Sequence, residues 1–422
     1  MIEDELKIKK HNMKLYPKYL MFGFDLLFFY GVRVLFYTEV KGMTDSQILL
    51  SVTIYAISML LAQIPATMLT SRIGYRNTAV LGNILNIIWA IIVIFFKTFL
   101  GLAISQVISG LAFTLKFLSE SNLLTVSIPS EAQYSRNEIF TRIDRKGYSR
   151  YCILSAVSTI LSGFLYKINP YIPIILCLIC IIYSAVISFN FLEIKESRNK
   201  TSFKEYKKEL KKGYKFVLKS KRLKALLLMI STIWGIILLL DTYQLTLLQE
   251  IGANSIIIGL TFAFLELTKG LFSTSATKFN NRFKNKSLTN ILLTFAFSFI
   301  FVGGTAMLNI NFYIKLIIIV AFILIMGAAN AIYQILAKRY MNSFTTDKIL
   351  PAIYSARGIC DNLFRTIITL GGATVLSFVN IDIAMISFGV IILVLTFTLM
   401  VYSEKRLGLS PEEYTQKDIY KR

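Results

Sequence analysis

Apolar residues in this chain fall in runs of about twenty, following one another over nearly its whole length. A helix of that length covers the roughly 30 Å hydrocarbon thickness of a bilayer. Twelve such runs are read, at about 17–38, 46–69, 78–96, 99–122, 151–168, 171–192, 223–247, 254–276, 288–308, 312–336, 349–376 and 381–402. The fold expected is therefore an all-α membrane protein of 12 transmembrane helices. Of 422 residues, 17% are charged, against roughly a quarter in a soluble domain. A soluble helical bundle would need shorter runs with polar faces.

The net charge of +22 points first to nucleic acid, but its distribution points elsewhere. Loops on one side of the expected membrane hold only Lys41, Lys97, Lys167 and Lys315. Span interiors hold Arg33, Lys116, Lys269, Arg357 and Arg365, and every other basic residue falls in the alternate set of loops and termini. Cytoplasmic loops collect Lys and Arg, so both termini are expected in the cytoplasm. The excess charge then reports topology and adhesion to anionic lipid rather than a nucleic-acid partner. The first run carries Asp25 and Arg33 and lacks a small-residue cleavage site, so it is read as a span rather than a cleaved signal peptide.

The expected organisation is a six-helix bundle at 1–192, a basic linker at 193–222 and a second six-helix bundle at 223–422. Within the linker, Ser202 and Glu205 form a capping box, and Phe203, Tyr206, Leu210, Tyr214 and Val217 follow at helical spacing. That pattern predicts an amphipathic helix on the membrane surface. The halves resemble each other. Ala66-Thr67 with Arg72 and Arg76 matches Ala276-Thr277 with Arg282 and Lys286, while Lys146-Gly147 matches Arg357-Gly358 and Asn169 matches Asn380. Parallel six-span repeats predict a pseudo-two-fold axis and a substrate site between the halves, near the bilayer midplane.

Residues 63–76 read Q-I-P-A-T-M-L-T-S-R-I-G-Y-R. This resembles the loop pattern E-I-P-T-G-x-[LI]-[AS]-D-[RK]-x-G-[RK]-[RK] of bacterial members of the major facilitator superfamily. Ile64, Pro65, Leu69, Arg72, Gly74 and Arg76 match, whereas Gln63, Thr67 and Ser71 depart from it. The outer loop at 41–50 is also similar, and the resemblance extends over the whole chain. It implies a secondary transporter in which Pro65, Ser71, Arg72, Gly74, Arg76 and, in the second repeat, Arg282 belong to gating loops. In the family the residue at position 71 is an Asp that latches against span 11. With Ser there, Arg72 and Arg76 are left to meet carbonyls or acidic residues of the other half. Ser155–Gly163 lacks the Gly-Pro motif usual in span 5 of proton-coupled drug exporters.

Ionisable groups in a bilayer core are functional candidates by default, because each is costly to hold there. Asp25, Asp241, Glu266 and Asp361 are candidates for proton coupling. Arg33, Lys116, Arg357 and Arg365 are candidates for binding an anionic substrate group, with the polar residues Tyr243, Gln244, Asn330 and Gln334 as further substrate contacts. Lys116–Glu120 and Glu266–Lys269 have i,i+4 and i,i+3 spacing, and Arg357, Asp361 and Arg365 form a stripe on one helix face. Structural ion pairs and helix–helix hydrogen bonds compete with each of these readings. Spans 3, 6, 9 and 12 carry no interior charge, which fits the superfamily's division into cavity-lining and lipid-facing helices. Phe22, Phe29 and Phe36 repeat every seventh residue and are expected to pack.

No P-loop, H-E-x-x-H or G-x-S-x-G pattern occurs, and His11 precedes the first span. Cys177 and Cys180 are read as apolar packing residues rather than a metal or redox pair. No cofactor is expected. The expected function is alternating-access, proton-coupled export of a small amphipathic or anionic compound by a monomer in a bacterial plasma membrane. A nutrient importer, a lipid flippase and a non-transporting receptor or assembly partner stay open as alternatives.

Overall fold

The computed structural model describes residues 2–43, 45–129, 133–194, 208, 211, 214–215, 217–253, 255–343, 350–376 and 378–404. Every regular element among them is helical: α1 (Ile2–Gly23), α2 (Asp45–Ile73), α3 (Tyr75–Phe95), α4 (Phe99–Ser127), α5 (Gln133–Ile168), α6 (Ile172–Phe189), α7 (Lys221–Glu250), α8 (Ser255–Ser273), α9 (Ala276–Phe283), α10 (Ser287–Met307), α11 (Phe312–Ser343), α12 (Leu350–Leu376) and α13 (Ile381–Glu404). Ten are long and apolar enough to cross a membrane. The pair α8 and α9, bent by 61° at their junction, meets the same test only when taken together, which gives up to eleven. The bend falls at Ser273-Thr274-Ser275, where the hydroxyls of Ser273 and Thr274 bond back to the carbonyls of Gly270 and Leu271, a common cause of helix kinks.

The first expected span is not a continuous helix. It runs as α1 to Gly23, breaks over Phe24–Phe29, and resumes as a 3-10 turn (Tyr30–Val32), one α-turn (Arg33–Leu35) and a π-turn (Phe36–Val40). Two of the expected loops are largely helix. Residues 133–150 form the start of α5, and α11 runs on to Ser343. Hydropathy marks where a helix meets lipid, not where it ends. Both extensions bury charged residues: Asp144 lies on the buried side of α5, and Lys338 and Arg339 lie at the end of α11, where residues 337–342 are all buried.

The chain divides into two compact units, Met1–Lys215 with Thr345–Ile359, and Phe216–Phe344 with Cys360–Arg422. In the first unit, Phe29, Phe36, Tyr37, Trp89, Val93, Leu102 and Cys177 make a closed apolar core. Phe29 and Phe36 therefore serve as packing residues, and Phe22 sets its ring edge-on against Tyr183 at 4.7 Å. Close helix approach uses small residues, as is usual in membranes. Gly110 leaves room for Ser58 and the Tyr55 carbonyl, and Gly389 for the Ala296 carbonyl in the second unit. Large apolar side chains point outward instead, among them Leu61 (71% exposed) and Ile317 (68% exposed). Such a surface is suited to lipid rather than water. Ser202, Phe203, Glu205, Tyr206 and Leu210 of the expected linker helix lie outside the described residues.

Candidate functional site

The break in the first span follows from its own residues. In a continuous helix the Leu26 and Leu27 amides would reach the carbonyls of Phe22 and Gly23. Instead, Leu26 donates to the Asp25 carboxylate at 2.7 Å, and Leu27 to the Asp25 backbone carbonyl at 3.1 Å. Asp side chains compete with helices in this way. Phe28 then adopts φ +65°, a strained conformation for a bulky residue. Gly23, at the end of α1, loses its helical donor, and the Lys116 ammonium on α4 supplies the replacement by donating to its carbonyl.

Lys116 is only 4% exposed. Its stem lies against Gly82 on α3, where any Cβ would strike it, and its ammonium stands 5.1 Å from the Phe113 ring centroid. The carboxylates of Glu120 and Asp25 both act on the ammonium electrostatically, and so does the Cys177 thiol from α6. A polar chain continues alongside. Ser184 donates to Asn83 at 3.2 Å, and Asn83 donates to the Tyr19 hydroxyl at 3.1 Å, which faces Glu120. Lys116 and Glu120, spaced i,i+4, act on each other electrostatically, and Asp25 adds a second carboxylate to the surroundings of the ammonium. Arg33 lies beyond the break, over the Tyr30 ring at 5.3 Å.

A second buried cluster in the same unit contains residues that hydropathy placed in a loop. Tyr16 donates to Asp144 at 3.2 Å, and Asp144 is 1% exposed. Tyr354 sits fully buried between Asp144, Ser121 and Arg357, and the Arg357 guanidinium covers the Phe117 ring at 5.5 Å. The signal that reveals Asp144 is helical periodicity upstream of the apolar run. Phe140, Asp144, Tyr148 and Tyr151 form one buried stripe.

In the second unit, Asp361 accepts a 2.6 Å hydrogen bond from Ser231 on α7. Arg357, Asp361 and Arg365 all lie on the single helix α12, as their spacing requires, with Arg357 grouped with the first compact unit and the other two with the second. Glu266 and Lys269 pair at 2.7 Å, as their spacing predicts. Gln334 donates to Asn330 at 3.3 Å, the i,i+4 pair on α11. Tyr243 donates to the Gly372 carbonyl at 2.8 Å and packs on Phe299 and Phe388, which is a helix–helix contact. Its neighbour Gln244 is buried with both amide atoms unpartnered among the described residues. Asp241 lies half-buried on α7.

Around the expected gating loop, Pro65 lies inside α2, and Ser71 bonds back to the Met68 carbonyl at 2.8 Å. Gly74 takes φ +85° at the start of α3, with the Glu193 carboxylate occupying the space of a Cβ. The carbonyls expected for Arg76 in the other half are found in its own unit. Its guanidinium donates to Phe189 at 2.7 Å and to Phe191 at 3.2 Å, at the C-terminal end of α6. Positive charge is favoured at that end of a helix. Arg72 is exposed, and Arg282 stands over Phe283 at 5.6 Å. At the far end of α3, Lys41 donates to the carbonyls of Ile94 (2.7 Å) and Phe96 (3.0 Å) beneath the rings of Phe36, Phe96 and Tyr171. Burial there, with Lys97 as the smaller influence, holds the Lys41 ammonium below its ordinary pKa.

Comparison with curated proteins found no match. A family model does match, that of the Major Facilitator Superfamily, over residues 19–314. That span takes in the broken first span, the Lys116 cluster, the 63–76 loop and the helices as far as the start of α11. With the apolar helices and the outward-facing apolar surface, it establishes that the chain belongs to the Major Facilitator Superfamily and is a multi-pass membrane protein of the secondary-transporter kind.

Proposed function

We propose that the protein is a proton-coupled exporter of a small amphipathic or anionic compound, working by alternating access of two six-helix halves in a bacterial plasma membrane, with both termini cytoplasmic. The observation that supports proton coupling is the buried Lys116 ammonium at the break in the first span, held by the Gly23 carbonyl and acted on electrostatically by the carboxylates of Glu120 and Asp25. An ionised carboxylate within a bilayer span is costly to hold, and a proton on Asp25 or Glu120 removes that charge. Alternating access then changes which carboxylate the ammonium neutralises, and with it where the proton is held. Arg33, Arg357 and Arg365 suit an anionic group, since guanidinium binds carboxylate or phosphate through paired hydrogen bonds. Glu266, Asp361 and Asp241 are the corresponding acids of the second half.

Transport into inside-out vesicles under an imposed proton gradient tests the reading. Export predicts gradient-driven accumulation in these vesicles, and Asp25→Asn should uncouple it, leaving downhill exchange that no longer responds to pH. Accumulation in right-side-out vesicles alone would reverse the direction. An undiminished gradient response in Asp25→Asn would remove the coupling role.

A further inference from the structure

We propose that the break in the first span is a monovalent-cation site whose occupant is the chain's own Lys116 ammonium. Three features build the site. The first is the end of α1, a helix of 22 residues, whose C-terminal carbonyls carry partial negative charge. Asp25 diverts the amides that would have covered two of those carbonyls, and the Gly23 carbonyl is left for Nζ. The second is the pair of carboxylates. Asp25 lies two residues from that carbonyl, and Glu120 lies one helical turn beyond Lys116 on α4, beside it on one face. The third is the slot for the lysine stem. Gly82 provides it, and a side chain there would meet both the stem and the Ala112 carbonyl.

A free carbonyl at an unwound helix end inside a bilayer, with two carboxylates near enough to act on the charge held there, is what a small hard cation seeks. In this chain the cation is covalently tethered. Sodium, lithium or potassium therefore finds the site filled in the native protein, and removing the ammonium opens it. This deepens the proposed proton coupling and rests on it for its meaning in the transport cycle. A fixed ammonium leaves the proton as the species that comes and goes at Asp25 and Glu120. The groups facing the ammonium are Asp25 from the break, Glu120 from α4 and Cys177 from α6, with Tyr19 on α1 facing Glu120.

The test measures binding, not transport. Native protein and Lys116→Met are purified in detergent and titrated with sodium, lithium and potassium chloride against N-methylglucamine chloride. One readout is the melting temperature. The other is tryptophan emission in a Trp234→Phe background, where Trp89 remains with its ring 6.0 Å from Phe29 at the end of the break. The expected result is a saturable rise of several degrees and a saturable emission change in Lys116→Met with at least one of the three ions. Neither should occur in the native protein, and both should be lost in the Lys116→Met, Asp25→Asn double variant. A cation response in the native protein, or none in a folded Lys116→Met, overturns the proposal, and so does an undiminished response in the double variant. If Lys116→Met does not fold, Lys116→Gln takes its place under the same criteria, and the native titration decides independently. A cation-responsive Lys116→Met together with pH-indifferent native transport would leave the site standing and remove proton coupling alone.

Discussion

Arg76 shows how one side chain holds several segments of the first unit together. Its guanidinium reaches two carbonyls at the end of α6 while its backbone begins α3. Arg76→Ala should lower stability by about 1–2 kcal/mol, the scale of charged hydrogen bonds that are partly solvated. Arg76→Lys should recover less than half, because an ammonium cannot present the same paired donors. Chemical denaturation of the purified variants measures both. Tyr243 offers a contrasting case. Tyr243→Phe deletes the donor to Gly372 and should lower stability by about 1 kcal/mol, while the KM for the transported solute stays unchanged. A raised KM with unaltered stability would instead make Tyr243 a substrate contact.

At the scale of elements, the C-terminal end of α3 is fastened by Lys41 under three aromatic rings. Lys41→Met keeps the apolar stem and removes the charge. It should lower stability by about 1–2 kcal/mol and speed hydrogen exchange at the last turn of α3, leaving its first turn protected. Spans were legible in the sequence wherever a helix is apolar all round, as in α3, α6, α10 and α13. Pairs within one helix were legible too, because i,i+3 and i,i+4 spacing is fixed by helix geometry, as Glu266–Lys269 and Asn330–Gln334 show. The break in the first span was not legible. Mean hydropathy averages over Gly23–Phe29, and the event that opens the helix is a local competition by one aspartate for two amides. Asp144, Lys338 and Arg339 escaped for the converse reason. They lie on helical extensions whose polar residues look like loop until their burial is seen.

At the scale of the molecule, the basic-loop asymmetry predicts an orientation that labelling can read. Single cysteines placed at Ser202 and Lys315, in a background lacking the four native cysteines, should respond oppositely to an impermeant maleimide in intact cells. Position 315 should label, and position 202 only after the membrane is opened. Identical labelling of both would contradict the two-sided topology. The family match and the apolar helices establish a transporter, and the charges at the break in the first span carry the proposal of what drives it. Their place inside apolar runs singled out Asp25 and Lys116 separately, but only the three-dimensional fold brings the Lys116 ammonium to the Gly23 carbonyl beside the break that Asp25 makes. The most direct measurement of that central claim is counterflow of a panel of small amphipathic and anionic solutes in proteoliposomes of the purified protein, with and without a pH gradient. At least one solute should accumulate against its own gradient when the pH gradient is imposed, and a protonophore should abolish that accumulation. Solute movement unaffected by both gradient and protonophore, or no movement of any solute, would contradict the account.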